Sequence, residues 1–321
     1  MFNQQKKENM KQLKDEQQRR FRSAIRQGFV TDNTPQYWHS FCGTWVRKHP
    51  NRVSTLVRLR EILGHNPQWE DVTDDVLSDL KDDMLMQMSP NSVKTICAEL
   101  KAVLNKNVAS KPIKSGTFGN ILKAKKVPTQ SVYLTKRELQ KVYDYKPATD
   151  KERYVRNIFL IECVTGARNV DCRKMSLANI HEEDGEEVIT YVPDKHPTLV
   201  TVPVHRWLKE LLSQDYPENI KSILLPHFNE TLKYICMKCG IRDKVAIYRA
   251  GRTVTDEKWR LISSHTGRKT FCTLLHLSGV GIEDISMMVG HTNGGKPNIE
   301  MTYGYICQSK KVGSKIFALF K

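Results

Sequence analysis

Large apolar residues recur every three or four positions along most of this chain, the period of a helix with one buried face. Trp38, Phe41, Trp45 and Val46 fall on one face of a segment that Thr34-Pro35 opens and Pro50 closes. Val53, Leu56, Leu59, Ile62 and Leu63 repeat the pattern, and so do Val76, Leu77, Leu80, Met84 and Met86 within 71–88. After Ser89, the series Val93, Ile96, Leu100, Val103 and Leu104 gives a fourth helix. Residues 21–106 are therefore expected to form a small all-α domain. The period fails from 107 to 131, a stretch rich in Lys, Ser, Gly and Pro that reads as a basic linker.

Periodicity resumes in a second domain, 132–321. Thr135 with Glu138 three residues on has the spacing of a capping box. Residues 157–164 are apolar and helical, Thr165-Gly166-Ala167-Arg168 interrupts them, and a helix is expected again over 169–177. Alternation changes to period two in 187–192 and 199–204, two strands around the turn PDKHPT. Helices follow over 207–212 and 230–239. From Ser263, an N-cap residue, another helix carries Phe271, Leu274 and Leu275 and ends at Ser278-Gly279. Ile282, Ile285, Met288 and Val289 make one more, closed by Gly290-His291. A Gly/Pro/Asn loop then leads to Tyr303 and Tyr305, expected to open or precede a last short helix. The fold class is mainly α with a small antiparallel β-sheet, in two domains: one helical, one mixed α/β.

Charge adds the partner. The 321 residues carry a formal charge of +16, which points to a polyanion, most often nucleic acid. An anionic membrane surface would need a strongly apolar helix face beside the charge, and the sequence offers none. Nor is any apolar run long enough to span a bilayer. Residues 1–20 are charged and Gln-rich, a solvated segment or an arm along DNA, without the apolar core of a secretory signal. The eight cysteines sit mostly in apolar segments, as buried thiols of a reducing cytosol do. Cys236 and Cys239 form the one CxxC pair, but a zinc site needs two further ligands and only His227 is close. The pair reads as one buried and one exposed thiol on a helix. Neither a metal nor a cofactor is expected.

Several polar residues gather at element ends: Arg168, Lys195, His265, Arg268, His291 and a late tyrosine. Singly, each has an ordinary explanation as a salt bridge, a cap or a core aromatic. Together they make an anion cradle without a carboxylate cluster. His265 and Arg268 share one face of a first helical turn, where unpaired N–H groups also favour a phosphate. Guanidinium forks bind two phosphate oxygens at once, and a phenol beside them is a candidate nucleophile.

The motifs TGAR (165–168), HTGR (265–268), GH (290–291), the hairpin lysine followed by TVPV and the late tyrosine resemble the tyrosine recombinase (phage integrase) family, in family order. So does the layout over about 30–310, with SPNSVKTICAELKAVLN similar to the last helices of that family's core-binding domain. The resemblance implies a two-domain DNA clamp: a core-binding domain at 21–106, a linker at 107–131 and a catalytic domain at 132–321. It implies site-specific recombination of a mobile element or phage through a 3′-phosphotyrosyl link, without metal or ATP. Arg168 and Arg268 would clamp the scissile phosphate and His265 would bond it or move a proton. Lys195 would protonate the leaving 5′-oxygen, and His291 would help to hold the phosphate. Asp171, three after Arg168, would play a supporting part. Partners would be double-stranded attachment sites, further copies in a synaptic tetramer and DNA-bending accessory proteins. The setting would be the cytoplasm, at the nucleoid.

GGKPN (294–298) looks inserted before the tyrosines, which leaves two candidate nucleophiles; the resemblance of IEMTYGYI to the family, aligned backwards from its helix, implies Tyr305, with Tyr303 second. Two other readings fit the same residues, a type IB topoisomerase-like relaxing enzyme and a catalytically silent DNA-binding relative. The terminal Ile316, Phe317, Leu319 and Phe320 follow a Gly-Ser break, and the resemblance implies docking on a neighbouring subunit. Deleting 312–321 is expected to leave DNA binding intact and to weaken synapsis. Recombination assays on the truncated protein check this, and unchanged recombination excludes it.

Overall fold

The computed structural model describes residues 21–31, 39–127, 129, 131–195, 198–249 and 252–307. The expectations for residues 1–20, for Thr34-Pro35 and Trp38, and for the terminal apolar segment fall outside them. The chain divides into two compact units near residue 129.

In the first unit, α1 (Phe41–Lys48), α2 (Val53–Leu63), α3 (Asp74–Gln87) and α4 (Pro90–Asn107) match the four apolar series. Thr73 caps α3 and Ser89 caps α4 through bonds from the amides of Val76 and Ser92. Trp45, Leu56, Leu77, Leu80, Met84, Ile96 and Leu100 are fully buried between the helices. Each such side chain contributes roughly 1.5–3 kcal/mol of transfer free energy. Residues 114–127 are not the free linker their composition suggests. The amides of Lys114 and Ser115 donate to the Val72 carbonyl at 3.1 and 2.7 Å. Phe118, in the short α5 (Phe118–Ile121), and Leu122 are buried in the first unit's core. The Asn91 amide clamps the Val127 backbone at both its N–H and its carbonyl. Apolar anchors this sparse leave no period to read.

The second unit opens with α6 (Lys136–Asp144), where the Thr135–Glu138 capping box is present. Its centre is α7 (Asp150–Thr165), buried on nearly every face from Tyr154 to Thr165. A helix apolar all round belongs at the middle of a core. It begins seven residues earlier than expected because Thr149 caps a polar first turn. α8 (Asn169–Cys172) is a single turn and does not reach 177. Ser176 and Asn179 form a capping pair of their own there, which competes with continued helix.

Strands β1 (Ile180–Glu183), β2 (Glu186–Tyr191) and β3 (Val200–Pro203) form an antiparallel sheet in that order, with Ile180 opposite Ile189 and Tyr191 opposite Val200. Then come α9 (Leu208–Leu212), α10 (Glu218–Lys221) and α11 (Leu225–Lys238), which buries Cys236 and leaves Cys239 partly exposed. A hairpin of β4 (Lys244–Arg249) and β5 (Arg252–Glu257) precedes α12 (Lys258–Leu261), α13 (Ser264–Leu277) and α14 (Ile282–Met288). The loop after α14 folds as a miniature hairpin, β6 (Thr292–Asn293) with β7 (Lys296–Pro297), before α15 (Ile299–Tyr303). The single expected sheet is thus three small ones among the described residues. The last helix also corrects the sequence reading: Tyr303 closes it and Tyr305 lies beyond its end.

Helices α7 and α13 approach closely at Gly267. A Cβ there would lie 2.6 Å from Glu162 Cβ and 2.8 Å from its Oε2. Glu162 is fully buried; its Oε1 accepts from Asn169 Nδ2 at 2.5 Å, and Oε2 has no partner among the described residues. Burial holds this carboxyl's pKa well above its ordinary value, against the opposing pull of the Asn169 bond and the Arg173 charge. A raised carboxyl binds its proton more tightly folded than unfolded. Its contribution is therefore whole below the ordinary glutamate value of about 4.3 and lost as pH rises toward the folded value. The neutral Glu162→Gln is expected to match the wild type near that lower limit. Above it, the variant should gain about 1.4 kcal/mol of relative stability per pH unit until the folded value is reached. Urea unfolding of both proteins across pH measures this, and parallel curves would refute it.

Candidate active site

The site is assembled from the ends of elements in the second unit. Gly166 ends α7 with φ +68°, its amide bonded to the Glu162 carbonyl at 3.0 Å. Only glycine suits this turn. Its backbone is left-handed, and a Cβ would lie 2.5 Å from Phe271 and 2.8 Å from Val289. Two residues later Arg168 sits at the N-cap of α8, half-buried, with Nη1 enclosed and unpartnered among the described residues.

Arg268, one turn into α13, is 1 % exposed. Its Nη1 donates to the Gly166 carbonyl at 2.6 Å and its Nη2 to the Val289 carbonyl. Among the described residues neither Arg168 nor Arg268 has a carboxylate partner, and Arg268 Nε has no hydrogen-bond partner. Burial and then the neighbouring Arg168 charge lower the pKa of Arg268. A buried cation without a counter-charge is costly unless an anion arrives.

Tyr305 is half-buried against this cation. The Arg268 guanidinium carbon lies 5.3 Å from its ring centroid and Lys269 Nζ 5.9 Å. The His265 ring meets it edge-on at 5.1 Å and the His291 ring at 4.7 Å. His291 is buried, with Nδ1 3.1 Å from Thr302 Oγ1 and its carbonyl accepting from Ser286 Oγ at 2.7 Å. His265 is exposed at the mouth of this group. Crowding by protein, then the charges of Lys269, Arg268, Arg168 and Lys195, lower its pKa to about 4. It is therefore neutral at ordinary pH and able to accept a proton.

Lys195 is exposed in the turn between β2 and β3, near enough for its charge to act on His265. The turn is tethered from below. Asp171, buried in α8, accepts from the Asp194 amide at 3.1 Å, and Lys174 Nζ bonds both Asp194 carboxylate oxygens at 2.5 and 2.7 Å. Arg168, His265, Arg268, His291 and Tyr305 thus converge, with Lys195 at the rim. Tyr303 is 55 % exposed and makes none of these ring contacts. Sequence reasoning missed Lys269 and Glu162. Lys269 was within reach of it, since His265, Arg268 and Lys269 stand at i, i+3 and i+4 on one helix face. Glu162 was not, because a lone acid in an apolar helix carries no signal of the glycine opposite.

Residues 132–311 match the model of the phage integrase family. A search of curated proteins found no match. Among solved structures, the chain is similar to the XerH site-specific recombinase bound to palindromic difH substrate, a post-cleavage complex. There the identity is 12%, over 87% of this chain and 79% of that one, with a TM-score of 0.59. It is similar also to the Tn1549 transposon integrase in complex with a circular intermediate DNA, at 14% identity, 88% and 99% coverage and a TM-score of 0.55. A lambda integrase dimer bound to a COC′ core site gives 14%, 82% and 94%, and 0.57. At such identities the likeness to these structures is one of fold. The family match covers more than half of the chain, and the protein belongs to the phage integrase family of tyrosine recombinases.

Proposed function

We propose that this protein is a site-specific DNA recombinase of a mobile element or phage, acting through a 3′-phosphotyrosyl intermediate with Tyr305 as nucleophile. The observation that carries the reading is the half-buried Tyr305 ring packed against the buried, carboxylate-free Arg268, with His265 and His291 on it as well. A phosphodiester supplies the anion that Arg268 and the enclosed Arg168 lack. Neutral His265 takes the phenolic proton as Tyr305 Oη attacks phosphorus. The bond from phosphorus to the 5′-oxygen breaks, and Lys195 gives that oxygen a proton. His291, held by Thr302, steadies the phosphate.

The cationic donors stabilise the charge spreading over the equatorial oxygens. They are poorly suited to gather a metal cation. A 5′-hydroxyl from a partner duplex then attacks the phosphotyrosine, releasing Tyr305 and forming one phosphodiester for the one broken, so no ATP is consumed. In this reading the helical first unit grips the duplex as a core-binding domain, residues 107–131 follow its backbone, and four copies meet in the synapse. The +16 charge supports the DNA partner.

The test uses DNA spanning the ends of the element that carries the gene, nicked near the cleavage point, with covalent adducts resolved on denaturing gels. The wild type and Tyr303→Phe are expected to form the adduct and Tyr305→Phe to form none. Arg168→Ala should slow it by about 10²–10³-fold. An adduct that persists in Tyr305→Phe overturns the nucleophile assignment. Supercoil relaxation without strand exchange points to a topoisomerase-like enzyme instead. Tight, salt-sensitive binding with no adduct from any variant points to a silent DNA-binding protein.

A further inference from the structure

Lys269 has a position that the reading above leaves without a role. It follows Arg268 on α13 and its side chain is partly buried. Nζ lies 5.9 Å from the Tyr305 ring centroid. The amine also donates to Ser131 Oγ, near the start of the second unit, and that oxygen is 3.8 Å from Cys307 Sγ. The groups acting on it are few. His265 and Cys272 come from its own helix, Tyr305 and Cys307 from the segment after α15, and Ser131 from the irregular segment entering the unit. No carboxylate pairs with it among the described residues.

We propose that Lys269, clamped by Ser131, is the positioning residue for the nucleophile, seating the Tyr305 ring in the pocket and favouring its phenolate during attack. The inference rests on Tyr305 as the attacking residue. Arg268 is committed through its two carbonyl bonds and awaits the phosphate. Lys269 has no such commitment, so its charge is available to the phenol. Ser131 takes one of its three N–H groups and fixes where the others aim. Burial lowers the pKa of this amine, and an amine desolvated in that way gains more from an adjacent anion than from a neutral phenol. Cys307 and Tyr305 belong to one short segment beside it, so the same contacts that seat the amine also hold the nucleophile's backbone. Thr273 reinforces them, its Oγ1 accepting from the Cys307 amide at 3.0 Å.

The experiment follows single-turnover adduct formation on the nicked DNA across pH, with DNA binding measured in parallel, for the wild type, K269M, K269R, S131A and Y305F. K269M is expected to bind DNA normally and to react about tenfold more slowly near neutrality. Its rate profile should shift to higher pH, so that the deficit closes where the phenol ionises unaided. K269R should restore most of the rate. S131A should show a smaller shift in the same direction. A K269M profile that coincides with the wild type overturns the proposal, as does a rate loss constant across pH that arginine does not rescue. If K269M does not fold, S131A decides: an alkaline shift supports the proposal and a wild-type profile overturns it. A wild type that forms no adduct, or a Y305F variant that still does, brings down the recombinase reading and this one together. An adduct lost only in Y305F, with K269M and S131A unaltered, overturns this inference alone.

Discussion

The buried guanidinium of Arg268 is the constraint on which the catalytic unit depends. Its two donors tie the carbonyl at the end of α7 to the carbonyl at the end of α14. Three segments far apart in sequence are thereby fixed around one cation. The tie works only because Gly166 turns left-handed against Phe271 and Val289, with no room there for a side chain. A hydrophobic residue of like volume would stabilise the core better, since an ion buried without a counter-charge is destabilising. The energetic penalty is retained where an anion must be received. The TGAR and HTGR motifs are therefore two halves of one interaction, with the first supplying the acceptor and the second the donor.

Delivery of Tyr305 depends on a second set of ties. The Asn298 amide donates to the His291 carbonyl at 2.6 Å, closing the β6–β7 hairpin at its base. The Asn298 side chain caps α15 through the Met301 amide, and its carbonyl accepts from Thr302 Oγ1. Thr302 in turn meets the His291 ring. These bonds tie α15 to His291 independently of the hairpin tip. Gly304 ends the helix one residue early, and Tyr305 falls back toward α13 while Tyr303 faces water.

How much of this was legible in the sequence follows from the range of each signal. Capping pairs and apolar periods act over three to seven residues, and Thr135–Glu138, Ser89-Pro90 and the four helices of the first unit were readable from them. Strand β1 reads IHEE and is largely exposed, so no alternation betrays it. Strand β5, RTVTDE, is likewise mostly polar. Phe118 and Leu122 are single anchors in a basic stretch, invisible without the core they enter. The ordered set of cationic and aromatic residues was readable because its pieces are short motifs. The pairing of Glu162 with Gly267 was not, because it joins residues 105 positions apart through a missing methyl group.

Lys195 shows how the fold separates rigidity from reach. Its hairpin is anchored below, where Asp171 holds the Asp194 amide and Lys174 grips the Asp194 carboxylate. The lysine itself projects past those anchors into solvent, while its charge is still felt at His265. In the proposed reaction a lysine on a tethered turn with an exposed tip can meet the leaving oxygen when DNA is bound. Asp171 thereby acts on the chemistry at one remove. It stands on the same single helical turn that Arg168 caps, so the orientation of Arg168 and the base of the lysine hairpin are set together. Displacing α8 would move both, and in the proposed reaction the acid and the clamp would be lost in one step.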